Sequence, residues 1–137
     1  AFVGRWLCQH APAGMTVALQ EGQGEAFSYL HNPVGWRRPR LRPDFIFRRE
    51  GRTVAVGDAK YRDHGRLAPD SGELYQLTAY GLAHELPPPR EVLLFYPQVG
   101  EAKGEPRLRF APGEVHIRLV GVPVDRLLAG GQPWWPL

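Results

Sequence analysis

Residues 42 to 47 read RPDFIF, and residues 53 to 61 read TVAVGDAKY. Both runs are rich in β-branched and aromatic residues. Glu50-Gly51 lies between them, a pair suited to a tight turn because glycine tolerates positive φ. An antiparallel hairpin is therefore expected, with strands over Leu41 to Arg49 and Arg52 to Tyr61. Side chains alternate across a strand, so Val54, Val56, Asp58 and Lys60 should share one face and Ala55, Gly57 and Ala59 the other. The small residues of the second set should let a helix or another backbone approach closely.

The hairpin brings acids together. Asp44 precedes Asp58 by fourteen residues, on the opposite arm of the same turn. Neighbouring strands lie about 4.8 Å apart, so the two carboxylates and the Lys60 amine can converge. Mg²⁺ takes oxygen ligands and keeps several waters, so Asp44, Asp58 and a backbone carbonyl such as that of Ala59 would suffice to hold it. Such an ion, with Mn²⁺ as the alternative, polarises a scissile phosphate and activates water, while a nearby ammonium offsets developing charge. The pattern points to phosphodiester hydrolysis without a covalent intermediate.

Outward from the hairpin, Phe2, Val3, Trp6, Leu7 and His10 recur at helical spacing, and Pro12 with Gly14 ends that helix near residue 11. Thr16 to Gln20 reads as a first strand and Glu21 to Gly24 as a turn, while Ala26 to Leu30 fits either a short strand or a turn of helix. Beyond the hairpin, Asp70 or Ser71 can cap a helix with Glu73 in its first turn. Leu74, Leu77, Thr78, Gly81 and Leu82 would form its apolar stripe, and Pro87-Pro88-Pro89 must stop it. Glu91 to Tyr96 reads as a buried strand, so strand, helix and strand suggest a crossover onto the same sheet. Arg107 to Phe110 and Glu114 to Val124 should close the sheet as a β pair, with a short helix over Val124 to Leu128. The result is an α/β fold, a central mixed sheet flanked by helices.

With 137 residues and 43% apolar content, the chain suits one domain, residues 1–137. Its formal charge is +3, with fifteen Arg against two Lys, Lys60 and Lys103. Arg37, Arg38, Arg40, Arg42, Arg48, Arg49 and Arg52 crowd around Asp44 in the sequence, a composition that favours bidentate contacts to phosphate. Arg37, Arg38, Arg40, Arg42 and Arg62 are the candidate DNA contacts. Cys8 is the single cysteine, which excludes an internal disulfide and any cysteine-rich metal site. No apolar run approaches the roughly 20 residues of a membrane helix, and Arg5, Gln9 and His10 interrupt any signal peptide, so a cytoplasmic protein is expected. The sequence starts without Met and in mid-pattern, which suggests the C-terminal part of something longer.

Other residues are less suggestive. His10, His31, His64, His84 and His116 show no H-x-x-x-H pair, although His64 follows the Asp58 strand closely. Ser28 lacks a G-x-S-x-G elbow, and Gly22-Gln23-Gly24 is a turn without a dinucleotide fingerprint. Trp36, Trp134 and Trp135 stand beside or near prolines and read as packing residues rather than base-stacking ones.

LRPDFIF, VAVGDAKY, ELYQLTAY and EVLLFYP, with a closing IRLVGVPVD, together resemble the PD-(D/E)xK nuclease superfamily and, within it, the McrC-type subunit of modification-dependent (5-methylcytosine) restriction systems. The likeness covers about residues 41 to 125. It implies a restriction-endonuclease-like core acting as a Mg²⁺-dependent endonuclease on double-stranded DNA. It also implies metal ligation by Asp44 and Asp58, a catalytic lysine at Lys60, Gln76 lining the site from the helix, and Tyr80 in support. The partner it implies is a GTP-driven AAA+ motor of the McrB type; residues 1–137 carry no G-x-x-x-x-G-K-[ST] loop of their own. The family's first-helix glutamate would precede Ala1-Phe2-Val3, and Glu25 is a weak substitute because it sits in a turn-like stretch. Two rival readings keep the same residues: a related fold that binds DNA or a partner without cleaving, and an RNA-acting or junction-resolving nuclease.

Overall fold

A computed structural model of the chain describes residues 2–19, 27–62, 64, 67–101, 104–130 and 134–137. Its elements run α1 (Phe2–His10), β1 (Met15–Leu19), β2 (Phe45–Arg49), β3 (Arg52–Ala59), α2 (Ser71–Ala83), β4 (Arg90–Pro97), β5 (Arg107–Phe110), β6 (Val115–Val122) and α3 (Val124–Leu128). The strands form one sheet in the order β1-β2-β3-β4-β6-β5. β3, β4 and β6 are parallel, while β1, β2 and β5 join antiparallel, which makes the sheet mixed as the pattern of elements predicts.

Both faces are covered. On one, α2 packs over Ile46, Val56, Val92, Leu94, Val115 and Ile117; on the other, α1, α3 and the C-terminal tryptophans pack over Phe45, Phe47, Leu93, Phe95 and Val120. Burial on two sides explains the continuous apolar run VLLFY in β4, where alternate residues serve alternate cores. Trp134 and Trp135 do pack, edge-on against Phe95 and Phe47.

The hairpin turns at Glu50-Gly51 with φ of 51° and 81°, the paired positive values of a two-residue turn that follows the strand twist. One expectation fails within it. Phe47 pairs with Ala55 and Arg48 with Thr53, so Val54 is a β-bulge. The extra residue moves Val54 off the face of Val56 and onto the core of Phe47 and Ala55. Ala55, Gly57 and Ala59 do admit a close neighbour, but it is not a helix. A Cβ on Gly57 would stand 3.0 Å from the Leu93 carbonyl and 3.1 Å from the Phe95 ring, so these small residues make room for aromatic packing.

The helix comes close from the other face. Asp70 caps α2 by accepting the Glu73 N–H at 2.8 Å, as its sequence signature predicts. Its buried stripe is Leu77, Tyr80 and Gly81 with Leu74 alongside; Leu82, expected inside, is half exposed, and Tyr80 takes the inner position. Gly81 sets the spacing, because a Cβ there would lie 2.8 Å from Val115 and 3.0 Å from Val92. Residues 27–30 are irregular, and the expected turn at Glu21 to Gly24 lies outside the described residues. Gly81→Ala should gain about 1 kcal/mol of helix propensity but lose about 1–3 to overpacking against two stiff valines, for a net loss near 1 kcal/mol. A lower urea midpoint at unchanged m-value is the expected readout.

Candidate active site

Extending the β2–β3 register by one step beyond Phe45 and Gly57 places Asp44 opposite Asp58. Here side chains replace the strand ladder. The Asp44 N–H donates to Asp58 Oδ1 at 3.0 Å, and the Ala59 N–H donates to Asp44 Oδ2 at 3.0 Å. Each carboxylate is thus fixed by the backbone of the opposite arm. Buried Pro43 precedes Asp44, and the Tyr80 hydroxyl donates to the Arg42 carbonyl at 3.1 Å, so α2 anchors the segment that carries the first acid.

Lys60 and Gln76 complete the cluster. The Lys60 ammonium lies 3.0 Å from Asp58 Oδ2 and donates to Gln76 Oε1 at 3.3 Å. Asp44, Asp58, Lys60 and Gln76, read separately from two strands and a helix, therefore occupy one site at the carboxyl end of β3. Asp58 is only 3% exposed. Its burial pushes the carboxyl above the ordinary value, the Lys60 ammonium works the other way, and the facing Asp44 charge pushes upward again. Burial and the same two carboxylates raise the Tyr80 hydroxyl, which stays protonated and able to donate.

The donor set suits a hard divalent cation. It consists of carboxylate oxygens and a backbone carbonyl, with no thiolate or imidazole. Ala59 turns its N–H towards Asp44, and in a strand the N–H and carbonyl of one residue leave on the same side, so its carbonyl faces that edge as well. Among the described residues no group of three or more His, Cys, Asp or Glu could hold a metal.

The arginines divide. Arg37, Arg38, Arg40 and Arg42 are exposed along the segment leading into Asp44. Arg62 is engaged elsewhere, donating to Asp70 at 3.0 Å and Glu73 at 2.6 Å at the start of α2, partners that sequence reading missed. Arg49 and Arg52 do not crowd around Asp44. They face each other beside the turn, at the other end of the hairpin, because nearness in sequence ignores strand length. Arg48 lies between, on the helix side, where its charge adds to burial in holding His84 below its ordinary value. His64 is buried; its Nδ1 meets the Leu67 carbonyl at 2.7 Å, and its Nε2 stands 3.1 Å from Glu73 Oε2, poorly aligned for a hydrogen bond. It braces the loop after β3. Glu25 lies outside the described residues.

A family model described as McrBC 5-methylcytosine restriction system component matches residues 1–97, most of the chain. The chain belongs to that family. A solved structure described as a refined half-complex from the tetradecameric assembly of Thermococcus gammatolerans McrB AAA+ hexamers with bound McrC superposes with a TM-score of 0.62 at 20% identity. That match covers 88% of this chain and 26% of the solved one, so this McrBC family member spans about a quarter of its length. At that identity the likeness speaks for the fold, a mixed sheet flanked by helices consistent with a restriction-endonuclease-like core. No curated protein matches the chain.

The raised Asp58 carboxyl has a measurable sign. Its folded value exceeds the unfolded one, so ionising it costs stability; the cost is absent below the unfolded value, grows as pH rises above it and is complete once pH passes the folded value. In metal-free buffer at neutral pH, Asp58→Asn should melt no lower than the native chain. The two curves should converge as pH falls below the ordinary value of 3.8. A clearly lower neutral-pH Tm for the variant would mean that the Lys60 ion pair outweighs burial.

Proposed function

We propose that this chain is the DNA-cleaving domain of an McrC-type subunit, a PD-(D/E)xK endonuclease that hydrolyses phosphodiester bonds of double-stranded DNA with Mg²⁺ or Mn²⁺. The observation that carries the reading is the opposed Asp44–Asp58 pair with the Lys60 ammonium 3.0 Å from one of its oxygens. Two carboxylates held face to face call for positive charge, and one lysine does not neutralise both.

Asp44, Asp58 and the Ala59 carbonyl would hold the ion. A bound divalent cation supplies phosphate polarisation and a more acidic water. Lys60 orients the attacking water and offsets charge gathering on the phosphate oxygens. Gln76, through its amide oxygen, fixes the direction of the Lys60 ammonium. Arg37, Arg38, Arg40 and Arg42 neutralise neighbouring phosphates, and Arg62 contributes once its acidic partners release it.

The family and the McrB–McrC assembly that the fold matches support an McrB-type AAA+ GTPase as partner in the longer protein. Among the described residues no helix is long and apolar enough to cross a membrane.

The test uses the full-length subunit with its motor and methylated plasmid. Lys60→Ala and Asp58→Asn are expected to lower the cleavage rate by roughly 10²–10³-fold or more, the scale set by removing one group that stabilises transition-state charge. Separately, Mn²⁺ should raise the Tm of the native chain and leave that of Asp58→Asn unmoved. Cleavage at the native rate by both variants would overturn the assignment. Salt-sensitive DNA binding indifferent to metal, with no cleavage, would favour a non-cleaving binding module instead.

A further inference from the structure

Residues 27–42 form an irregular arm that turns apolar side chains outward. Leu30 is fully exposed, Trp36 is 68% and Val34 63% exposed, and Phe27 and Tyr29 are also open to solvent. The arm's shape is nevertheless built. The Asn32 side chain donates to the Trp36 carbonyl at 2.9 Å and accepts the Trp36 N–H at 2.9 Å, closing a turn through Gly35 with its φ of 69°. The Tyr29 hydroxyl donates to the Arg37 carbonyl at 3.2 Å. Trp36 therefore projects from a tied loop and covers no core.

Charge follows directly. Among the described residues no carboxylate lies within ion-pair range of Arg37, Arg38, Arg40 or Arg42, which succeed the tryptophan. Leu41 and Pro43 are buried and Tyr80 holds the Arg42 carbonyl, so the arm is fastened to the sheet immediately before Asp44. Eight residues separate Trp36 from Asp44, a reach of at most about 29 Å even if fully extended. That is less than one turn of B-DNA, about 34 Å. Trp36 therefore lies no farther from Asp44 than one turn of a duplex extends.

We propose that Trp36, with Leu30 and Val34 beside it, is an apolar wedge that enters the duplex between two base pairs near the cleavage point while the following arginines grip the flanking phosphates. This rests on the nuclease reading above and adds to it a deformation of the substrate. The occupant is double-stranded DNA rather than a protein because the apolar tip is bordered by arginines that meet no carboxylate among the described residues. Insertion of an apolar side chain beside basic residues is a recurrent way to unstack and bend a duplex.

The experiment measures binding of the full chain to a duplex carrying 2-aminopurine, in Ca²⁺ to slow any cleavage. The native chain should raise the 2-aminopurine fluorescence at one step as stacking is lost. Trp36→Ala should abolish that rise and weaken binding roughly ten- to hundredfold, the range expected for one base–aromatic stack, and Trp36→Phe should restore most of both. The Tm of both variants should match the native one, since the ring is exposed. Unchanged affinity and fluorescence for Trp36→Ala would overturn the wedge and leave the nuclease assignment standing. Failure of the native chain to bind duplex at all would overturn both. Arg42→Ala should reduce binding and its salt dependence while the fluorescence rise persists at saturation; a rise lost along with the charge would tell against a separate wedge.

Discussion

Two carboxylates face each other across the open end of a hairpin, each held by an N–H from the other arm. Like charges held close together at a partly buried site repel, and the Asp44 charge is one of the causes that raise the Asp58 carboxyl. The rest of the molecule is arranged so that this repulsion can be tolerated. The register of β2 on β3 holds the acids in position, and Lys60 supplies one compensating charge. Tyr80 anchors the segment from below, contributing a hydroxyl that remains a donor because its surroundings disfavour ionisation. Under the proposed function, a divalent cation would meet this electrostatic demand better than a single ammonium does.

That demand can be borne because the sheet is stable on its own account. β4 is buried on both faces and β6 nearly so, and the helix-side core reaches the site through Tyr80. Gly57 lets the Phe95 ring pack close beneath β3, and Gly81 lets α2 settle onto the valines of β4 and β6. The two glycines act on opposite faces to the same effect: they bring rigid layers close enough that the end of β3 is a fixed platform.

Much of this was legible because strand parity is a local rule. The bulge at Val54 breaks that rule, yet it lies on the turn side of the functional residues, so the parity of Asp58 and Lys60 counted from Val56 survives it. Only Val54 was misplaced. The capped helix was legible from Asp70 and Glu73, but the choice between Tyr80 and Leu82 as core residue depended on a tertiary hydrogen bond to Arg42 that no periodicity encodes. The dispersal of the arginines was likewise hidden: seven lie within sixteen residues of sequence, but the hairpin carries Arg49 and Arg52 to its far end. Asp70 and Glu73 were recognised for their capping role and not for their hold on Arg62, because a carboxylate can serve a backbone N–H and a guanidinium at once.

The arm before Asp44 follows the opposite logic from the sheet. Burying a large apolar side chain is worth about 1.5–3 kcal/mol, and a chain selected only for its own stability would fold Leu30, Val34 and Trp36 inward or replace them with polar residues. Instead three side-chain hydrogen bonds, two from Asn32 and one from Tyr29, keep the turn shaped while the apolar tip stays in water. Ordering a loop in that way costs conformational entropy, and the exposed Leu30, Val34 and Trp36 offset little of it by burial. The offset is therefore to be sought outside the chain, in a surface that accepts apolar and cationic groups side by side. The base stack and phosphates of a nucleic acid provide both.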